Sequence, residues 1–432
     1  MIKITFIGAG STVFAKNVLG DTMLTTSLAS AHIALYDIDE NRLRESEAML
    51  NIINKNCNEG KAKIVAYSDR REALSGADFI VNAIQVGGYR PSTVIDFEIP
   101  KKYGLRQTIA DTIGIGGLFR ALRTIPVLES MARDIEAVCP TALFINYTNP
   151  MSVLSGYLQR YSQVRTVGVC HSVQCCAETI LNGVGLPTDN VIAKIAGINH
   201  MAWLLEVSRN GEDLYPEIKK RAAAITDKHY DMVRHEIMKQ FGYYITESSE
   251  HLSEYLPYFI KKGYPELIER FGIPLDEYPR RCEEQIRGWE SLRDELVSDP
   301  SLTHVRTNEY ASYIMEAVVT NKAIEIGGNV LNTGLITNLP AEACVEVPCL
   351  VNAKGISPCY VGKLPEQLAA LNRTNINTHL LTIEAAVTRR KEHIYHAALL
   401  DPHTAAELPI DSIIAMCDEL IAAHGDYLPK YQ

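Results

Sequence analysis

Two short stretches of the sequence combine residue types that can bind a metal ion and move a proton. Cys170 and His171 are adjacent in the run Gly168-Val169-Cys170-His171-Ser172, and His200 lies further along in Ala196-Gly197-Ile198-Asn199-His200. A thiolate and an imidazole brought together by folding can bind one divalent cation. His171 would then lie at the edge of that cation, where an imidazole can transfer a proton. This pattern makes Cys170 and His200 candidate ligands of a metal site.

Other interpretations of these residues remain open on spacing alone. A cysteine is often a small buried apolar residue, and a single histidine is more often a core or surface group than a ligand. Cys175 and Cys176 lie close to Cys170. Three cysteines so close together could form part of a structural zinc site, although no second C-x-x-C motif completes one.

The composition indicates an enzyme with two lobes. The chain has 432 residues, more than one compact core usually contains, with 47% hydrophobic and 22% charged residues. Its net charge of −10 argues against a nucleic acid or an anionic membrane as partner. The sequence has no apolar run of about 18 residues and begins with a strand pattern instead of a signal peptide. We therefore expect a cytoplasmic protein whose ten cysteines are reduced thiols.

The N-terminal residues have the pattern of a dinucleotide-binding turn. An apolar strand, Lys3 to Ile7, leads into Gly8, Gly10 and Ser11, and a helical pattern follows. Glycines at these positions permit a tight turn and let the backbone approach a pyrophosphate at the start of the helix. The third glycine of the full fingerprint is missing, because Val13 occupies its position.

Asp37 strengthens the prediction of a nucleotide site. It ends a second predicted strand, His32 to Tyr36, where a carboxylate can accept hydrogen bonds from a ribose 2′-hydroxyl. The same carboxylate would repel a 2′-phosphate. We therefore predict that Gly8, Gly10, Ser11 and Asp37 bind NAD in preference to NADP, with a nucleotide-free βαβ unit as the alternative.

Further polar residues follow predicted strands and should reach the same cleft. Gln85 and Arg90 follow a buried strand over residues 77–83, and ligands of doubly wound sheets bind at the carboxyl ends of strands. Asn149 follows another strand and precedes Pro150, which restricts its backbone to an extended conformation. We assign Gln85 to the cofactor, and Arg90 and Asn149 to the substrate.

The order of patterns predicts an α/β fold with a Rossmann-type doubly wound sheet followed by an α+β lobe, as in lactate and malate dehydrogenases. We place the NAD-binding domain at residues 1–195 and the lobe for substrate, metal and oligomerisation at 196–432. In that second lobe we expect helices over residues 312–326 and 375–399, and a Gly/Asn turn at the end of residues 324–333.

Several motifs taken together resemble glycoside hydrolase family four, the NAD- and metal-dependent glycosidases. The resemblance covers essentially the whole chain, and within the family it is greatest to the α-galactosidase branch. The motifs that carry it are Phe6-Ile7-Gly8-Ala9-Gly10-Ser11, Asp111 to Gly117 with Arg120, Thr148-Asn149-Pro150, Gly168 to Ser172, Gly197-Ile198-Asn199-His200, Glu346-Val347-Pro348 and Asp401-Pro402-His403.

The resemblance implies a redox-assisted hydrolysis. NAD⁺ takes hydride from C3 of the sugar, the resulting ketone acidifies the proton on C2, and a base removes that proton. The aglycone then leaves from C1 with help from an acid, water adds, and the hydride returns to C3. A metal ion, expected to be Mn²⁺, polarises the oxygens on C2 and C3.

The resemblance also implies roles for individual residues. Cys170 and His200 match the metal ligands of the family, and Asn149 matches its sugar-binding asparagine. Other branches have an aspartate as acid after the ligand cysteine, whereas this chain has His171, which we assign as the proton donor. Candidates for the base on C2 are Tyr243, Tyr244 and Glu247, and we favour Glu247.

Competing functions remain distinguishable by experiment. An α-glucosidase or α-galacturonidase would differ from an α-galactosidase in pocket geometry that the sequence does not reveal. A second class is a 2-hydroxy acid dehydrogenase, which would consume NAD⁺ in net turnover. A third is a nucleotide-binding regulator without catalysis. We expect a homodimer or homotetramer, since the second lobe of this family usually carries a contact surface.

Overall fold

The first half of the chain forms a parallel sheet with the strand order of a dinucleotide-binding domain. The computed structural model describes residues 1–432, with the side chain of Glu290 outside the described set. Strands β1 to β6 are Lys3–Ile7, His32–Tyr36, Lys63–Tyr67, Phe79–Asn82, Leu143–Asn146 and Arg165–Gly168. They pair in parallel in the order β3-β2-β1-β4-β5-β6. This order confirms the predicted Rossmann-type α/β fold.

The same sheet continues through strands from the second half. Strands β7 to β13 are Val191–Ile198, Met201–Arg209, Glu212–Asp213, Tyr244–Ile245, Ile324–Leu331, Cys344–Asn352 and Gly355–Pro358. Beyond β6 the order is β11-β12-β7-β8-β10, with antiparallel pairing, and β13 and β9 add to β12 and β8. One row of register partners crosses the middle of this sheet: Gly168 opposite Asn329, Asn329 opposite Glu346, and Glu346 opposite Gly197.

Helices cover the faces and the ends of the sheet. In chain order they are α1 to α17: Thr12–Met23, Glu40–Asn58, Arg70–Leu74, Val94–Lys102, Gly114–Val138, Met151–Tyr161, His171–Gly183, Tyr215–Ala224, Met232–Phe241, Ser249–Tyr255, Glu266–Phe271, Glu277–Ser298, Tyr310–Thr320, Glu366–Thr388, Lys391–Leu399, Pro402–Glu407 and Ile410–His424. A six-residue π segment, Gly88–Thr93, interrupted by the extended backbone of Arg90, precedes α4, and a 3₁₀ turn, Gly425–Tyr427, follows α17. In the described part of the chain, none of these helices is long and apolar enough to cross a membrane.

Two predicted helices of the second half were wrong in extent. The helix expected over residues 312–326 ends at Thr320, because Asn321 takes a left-handed conformation at φ +57° and the chain then enters β11. The segment 324–333 is mainly the strand β11 and ends in a turn at Thr333 and Gly334, as expected. The helix expected over 375–399 is two helices, α14 and α15, separated where Arg389 adopts φ +59°. The apolar periodicity of the sequence continues across both helix ends, so the pattern did not predict where the helices stop.

The predicted domain boundary falls inside a continuous strand. Residue 195, where we placed the domain boundary, lies within β7, which pairs with β8 on one side and with β12 on the other. The boundary stays a prediction.

Candidate active site

The sheet brings Cys170 and His200 together from strands that are not neighbours. Cys170 is the N-cap residue of α7, two positions after the end of β6, and its thiol is half-buried. His200 lies in the two-residue turn between β7 and β8, with φ +63° and 3% exposure. Since β11 and β12 lie between β6 and β7, these two later strands set the spacing of the predicted ligands.

Glu247 completes a set of three donors. One donor atom each from Cys170, His200 and Glu247 lie within 4.8 Å of one another. Glu247 follows β10 and precedes α10, and its backbone is left-handed at φ +63°. Left-handed backbone is unfavourable for residues with a Cβ and is typically retained at functional sites. Sulfur, nitrogen and oxygen donors at this spacing fit a divalent cation.

The charges around the donor set also fit a cation. Burial lowers the pKa of His200, but the carboxylate of Glu247 and the neighbouring sulfur of Cys170 outweigh burial and raise it to about 10. His200 Nε2 lies 3.5 Å from Glu247 Oε2, while its buried Nδ1 has no protein partner among the described residues. Burial raises the pKa of Glu247, yet His200 and His251 lower it overall. The negative potential that stabilises the charged imidazole would equally attract a metal ion.

A chain of polar contacts leads from Glu247 to Asn149. Glu247 Oε1 lies 3.4 Å from Nδ1 of His251, which is in the first turn of α10, and His251 Nε2 lies 3.7 Å from Asp111 Oδ1. Asn149 Nδ2 donates to Asp111 Oδ2 at 3.4 Å. The structure therefore brings Asn149 to the same site as the donor set, with Asp111 and His251 between them.

Arg120 keeps Asp111 charged and fixes the backbone of Asn149. Its Nε donates to the backbone carbonyl of Asn149 at 3.2 Å, and its guanidinium group packs over the ring of Tyr278. Burial favours the neutral form of Asp111, but His251 and Arg120 outweigh it and hold the pKa of Asp111 well below its usual range. Asp111 is thus a carboxylate at neutral pH and can accept hydrogen bonds from a sugar.

His171 is held at the rim of the site by Glu309. The imidazole Nε2 donates to Glu309 Oε2 at 2.7 Å, and the His171 side chain remains 48% exposed while that of Glu309 is 9% exposed. The hydrogen bond to Glu309 raises the pKa of His171, which favours the protonated imidazole that a proton donor needs. Glu309 is the N-cap residue of α13 and played no part in the sequence prediction.

A buried carboxylate lies beneath the donor set. Glu346 Oε1 accepts hydrogen bonds from Asn329 Nδ2 at 2.9 Å and from Asn199 Nδ2 at 3.5 Å. Asn329 Nδ2 also donates to the carbonyl of Gly168. Burial raises the pKa of Glu346 to about 7, against the hydrogen bond from Asn329. These amides connect the strand before Cys170 to the turn that carries His200.

The predicted nucleotide turn has the shape that a pyrophosphate requires. Gly8 has φ +89°, and a Cβ there would lie 2.4 Å from the carbonyl oxygen of Ala83. Gly10 N–H donates to Asp37 Oδ2 at 2.7 Å, so the turn and the end of β2 are joined. Ser11 is the exposed N-cap of α1, and its side chain makes no capping hydrogen bond in the described structure. Open amides at the start of this helix fit an anionic group.

Three other predicted site residues lie outside the contacts that link the donor set to Asn149. Tyr244 is fully buried, and its hydroxyl donates to Asp231 Oδ2, so the structure does not place it as a base. Arg90 is exposed and lies over the ring of Tyr89, without a contact to Asn149 among the described residues. Gln85 is exposed after β4, and its amide donates to Thr93 Oγ1 at 3.4 Å. The assignments of Arg90 and Gln85 stay predictions.

Comparison with known protein families decides the class of protein. A family model described as Family 4 glycosyl hydrolase matches residues 3–186, and a model of the Family 4 glycosyl hydrolase C-terminal domain matches residues 195–404. This chain belongs to family 4 of the glycosyl hydrolases. The family membership confirms the resemblance seen in the sequence and favours a glycosidase over a hydroxy acid dehydrogenase or a regulator.

Relatives within family 4 extend over the whole chain. An α-galactosidase of Bacillus subtilis is 62% identical, with 100% of this chain and 100% of that protein aligned. An α-galactosidase of Rhizobium meliloti is 35% identical, with 99% of this chain and 89% of that protein aligned.

Solved structures agree with the fold of this family 4 chain. The crystal structure of a 6-phospho-α-glucosidase from gut microorganisms in complex with NAD and Mn²⁺ matches at a TM-score of 0.85 with 21% identity, covering 100% of both chains. A malate dehydrogenase of Cryptosporidium parvum matches at a TM-score of 0.52 with 15% identity, covering 90% of this chain and 99% of that one. The expected dehydrogenase-like architecture is thereby confirmed.

Proposed function

We propose that this family 4 chain is an α-galactosidase that hydrolyses terminal α-galactosides such as melibiose with the help of NAD⁺ and a divalent cation. The observation that carries the proposal is the 62% identity, over full length, to an α-galactosidase. The geometry of the donor set supports it, because Cys170, His200 and Glu247 present their donor atoms within 4.8 Å of one another.

The cofactors would be held by residues already described. Gly8, Gly10, Ser11 and Asp37 would bind NAD, and Cys170 and His200 would bind the cation, with Glu247 within reach as a third donor. When bound, NAD⁺ supplies a reversible hydride acceptor for C3 of the sugar, and Mn²⁺ polarises the oxygens on C2 and C3. A thiolate is a soft ligand for a hard ion such as Mn²⁺, so a reducing buffer should be needed to preserve the site.

The sugar would be oriented by polar groups facing the donor set. Asn149 can both donate to and accept from a hydroxyl, and the carboxylate of Asp111 can accept a second hydrogen bond. These two side chains already contact each other at 3.4 Å, and Arg120 fixes the backbone of Asn149. Such fixed partners orient a substrate without a further cost in conformational entropy.

Two groups would move protons on opposite sides of the sugar. His171, whose pKa is raised by its hydrogen bond to Glu309, would donate to the leaving oxygen at C1. Glu247 would accept the proton from C2, because its carboxylate is ionised and paired with His251, which can share the charge. An acid and a base of opposite protonation state are what an elimination across C1 and C2 needs.

A panel of aryl glycosides tests the proposal. The purified protein, supplied with NAD⁺, Mn²⁺ and a thiol, should hydrolyse the α-galactoside faster than the α-glucoside and the α-galacturonide. Omission of either cofactor after dialysis should abolish turnover. Preference for one of the other sugars would assign the chain to that activity instead, and net NADH production from a hydroxy acid would overturn the proposal.

The remaining expectations concern location and assembly. We propose a cytoplasmic enzyme, in keeping with ten free cysteines, and a homodimer or homotetramer. Light scattering of the purified protein measures the mass directly, and a monomer at micromolar concentration would contradict the second proposal.

A further inference from the structure

We propose that Glu254 is a positioning residue that acts through Asp111, by clamping the backbone that carries this carboxylate into the active site. The inference rests on the proposed function, since it assigns Asp111 to the sugar. Glu254 lies on α10, in the second half of the chain, and is 3% exposed. Its partners lie in the first half of the chain, in the segment Thr108 to Ala110, here named the 108–110 arch.

The clamp consists of three consecutive backbone amides that donate to one carboxylate. Thr108 N–H donates to Glu254 Oε2 at 2.9 Å, while Ile109 and Ala110 N–H donate to Oε1 at 3.3 and 2.8 Å. A carboxylate that receives several amide hydrogen bonds is held in one orientation, and it holds the amides in turn. The 108–110 arch therefore depends on Glu254 for all three of its backbone N–H donors.

The arch ends at the residue that needs this support. Ala110 adopts a left-handed backbone at φ +50°, immediately before Asp111. Such a conformation costs free energy for a residue with a Cβ and persists when neighbouring contacts impose it. The turn at Ala110 directs Asp111 towards Asn149 and His251, so release of the arch would move the carboxylate away from both.

The same short helix supports the other side of the site. His251, which lies between Glu247 and Asp111, is one turn before Glu254 on α10. The carbonyl of Glu250, also on α10, accepts a hydrogen bond from Thr108 Oγ1 at 2.7 Å. One helix therefore fixes the distance between the candidate metal donors and Asp111, two parts of the site that come from different halves of the chain.

Neither close substitute can reproduce the clamp. Glutamine has one acceptor oxygen, and its amide nitrogen would face at least one N–H donor. Aspartate is one methylene shorter and would not reach the arch from the same backbone position. Both variants should retain the fold, because the volume of the side chain changes little.

A double-mutant cycle tests the proposal on the complete enzyme with an aryl glycoside that the wild type hydrolyses. Glu254→Gln should lower kcat by about 10- to 100-fold, as loss of a supporting contact typically does. Asp111→Ala should lower kcat more. In the Asp111→Ala background, Glu254→Gln should have less than about a twofold further effect, because coupled residues are not additive. Additive losses would overturn the proposal.

Two measurements keep the result interpretable. NAD⁺ affinity, measured by quenching of tryptophan fluorescence, should change less than twofold in Glu254→Gln, since the nucleotide turn is separate from the arch. The matched control is Glu284→Gln, whose carboxylate pairs with Arg280 at the surface, and it should leave kcat unchanged. If the wild type hydrolyses a glycoside other than an α-galactoside, the cycle can be run on that substrate. Failure of the proposed specificity is therefore distinct from failure of the clamp.

Discussion

His171 and Glu309 form a hydrogen bond of 2.7 Å although 138 residues separate them in the chain. The carboxylate belongs to the N-cap residue of α13 and the imidazole to the first residue of α7. Because Glu309 is nearly buried and His171 is half-exposed, the ring is anchored on one nitrogen and open to solvent elsewhere. The pair can orient an acid without enclosing it.

The role of His171 as acid predicts a dependence on the leaving group. His171→Ala should slow hydrolysis of melibiose or an alkyl galactoside by about 10²- to 10⁴-fold, because general acid catalysis contributes that much. A nitrophenyl galactoside, whose phenolate leaves without a proton, should lose far less. Glu309→Gln should show the same pattern with a smaller loss, about tenfold. Equal losses on both substrates would rule out proton donation by His171.

Substitution of the predicted metal ligands should separate metal binding from nucleotide binding. Cys170→Ser and His200→Ala should each abolish hydrolysis, because both donor atoms lie within the 4.8 Å set. NAD⁺ binding, followed by equilibrium dialysis, should persist in both variants. Mn²⁺ binding, followed by electron paramagnetic resonance, should be lost. Near wild-type turnover in either variant would remove the metal assignment.

Proton exchange at C2 tests the assignment of the base. The wild type in deuterium oxide should release galactose that carries deuterium at C2, as mass spectrometry can show. Glu247→Gln should suppress this exchange by about 10²- to 10⁴-fold. His251→Asn, which removes the partner of Glu247 but not the acceptor, should reduce it less. Undiminished exchange in Glu247→Gln would move the base to another residue and leave Glu247 as a metal donor.

A buried ion pair between α4 and α5 should contribute strongly to the stability of the fold. Arg123 is fully buried and donates to both oxygens of Asp96 at 3.1 and 2.6 Å, and His424 Nε2 contacts Asp96 at 2.9 Å. Asp96→Ala should lower the free energy of unfolding by about 3–5 kcal/mol, because it leaves a buried guanidinium unpaired. The control Glu98→Ala, on the same helix but paired with Lys101 at the surface, should cost less than about 1 kcal/mol.

His379 predicts a specific sensitivity to acid. It is buried in α14, and burial alone lowers its pKa from 6.5 to about 4. As the pH falls from 6.5 towards 4, this histidine becomes protonated in the unfolded chain but stays neutral in the folded chain. The folded state therefore loses, over that pH range, stability that it has in full above pH 6.5. His379→Leu should reduce the loss between pH 6.5 and 5 by about 2 kcal/mol, measured by urea unfolding. The exposed His396→Leu should not change it.

The first half of the fold was predictable because its signals are local. Strands β1 and β2 were predicted with the observed bounds, since apolar runs end at glycines or at Asp37. Cys170, His200 and Asn149 were predicted as site residues from short motifs that match a family. The sheet brings these three residues to one site, and the motifs alone did not show that they would be close together.

The rest of the site depends on contacts that local patterns do not encode. Glu309 and Glu346 act across 138 and 147 residues, on His171 and Asn199 respectively. Asp111 and Glu346 stood in motifs that carried the resemblance, which was the available signal, but no role followed from it. Tyr244 was considered as a base because it is near Glu247 in sequence, yet alternation along β10 turns its ring towards Asp231.

The row of Gly168, Asn329, Glu346 and Gly197 has a consequence for how substrate enters. Because one residue pair joins β6 to β11 and another joins β12 to β7, a clamshell opening between these strands would break pairs that lie directly beneath the candidate metal donors. We therefore expect the sugar to enter and the products to leave through movement of peripheral loops.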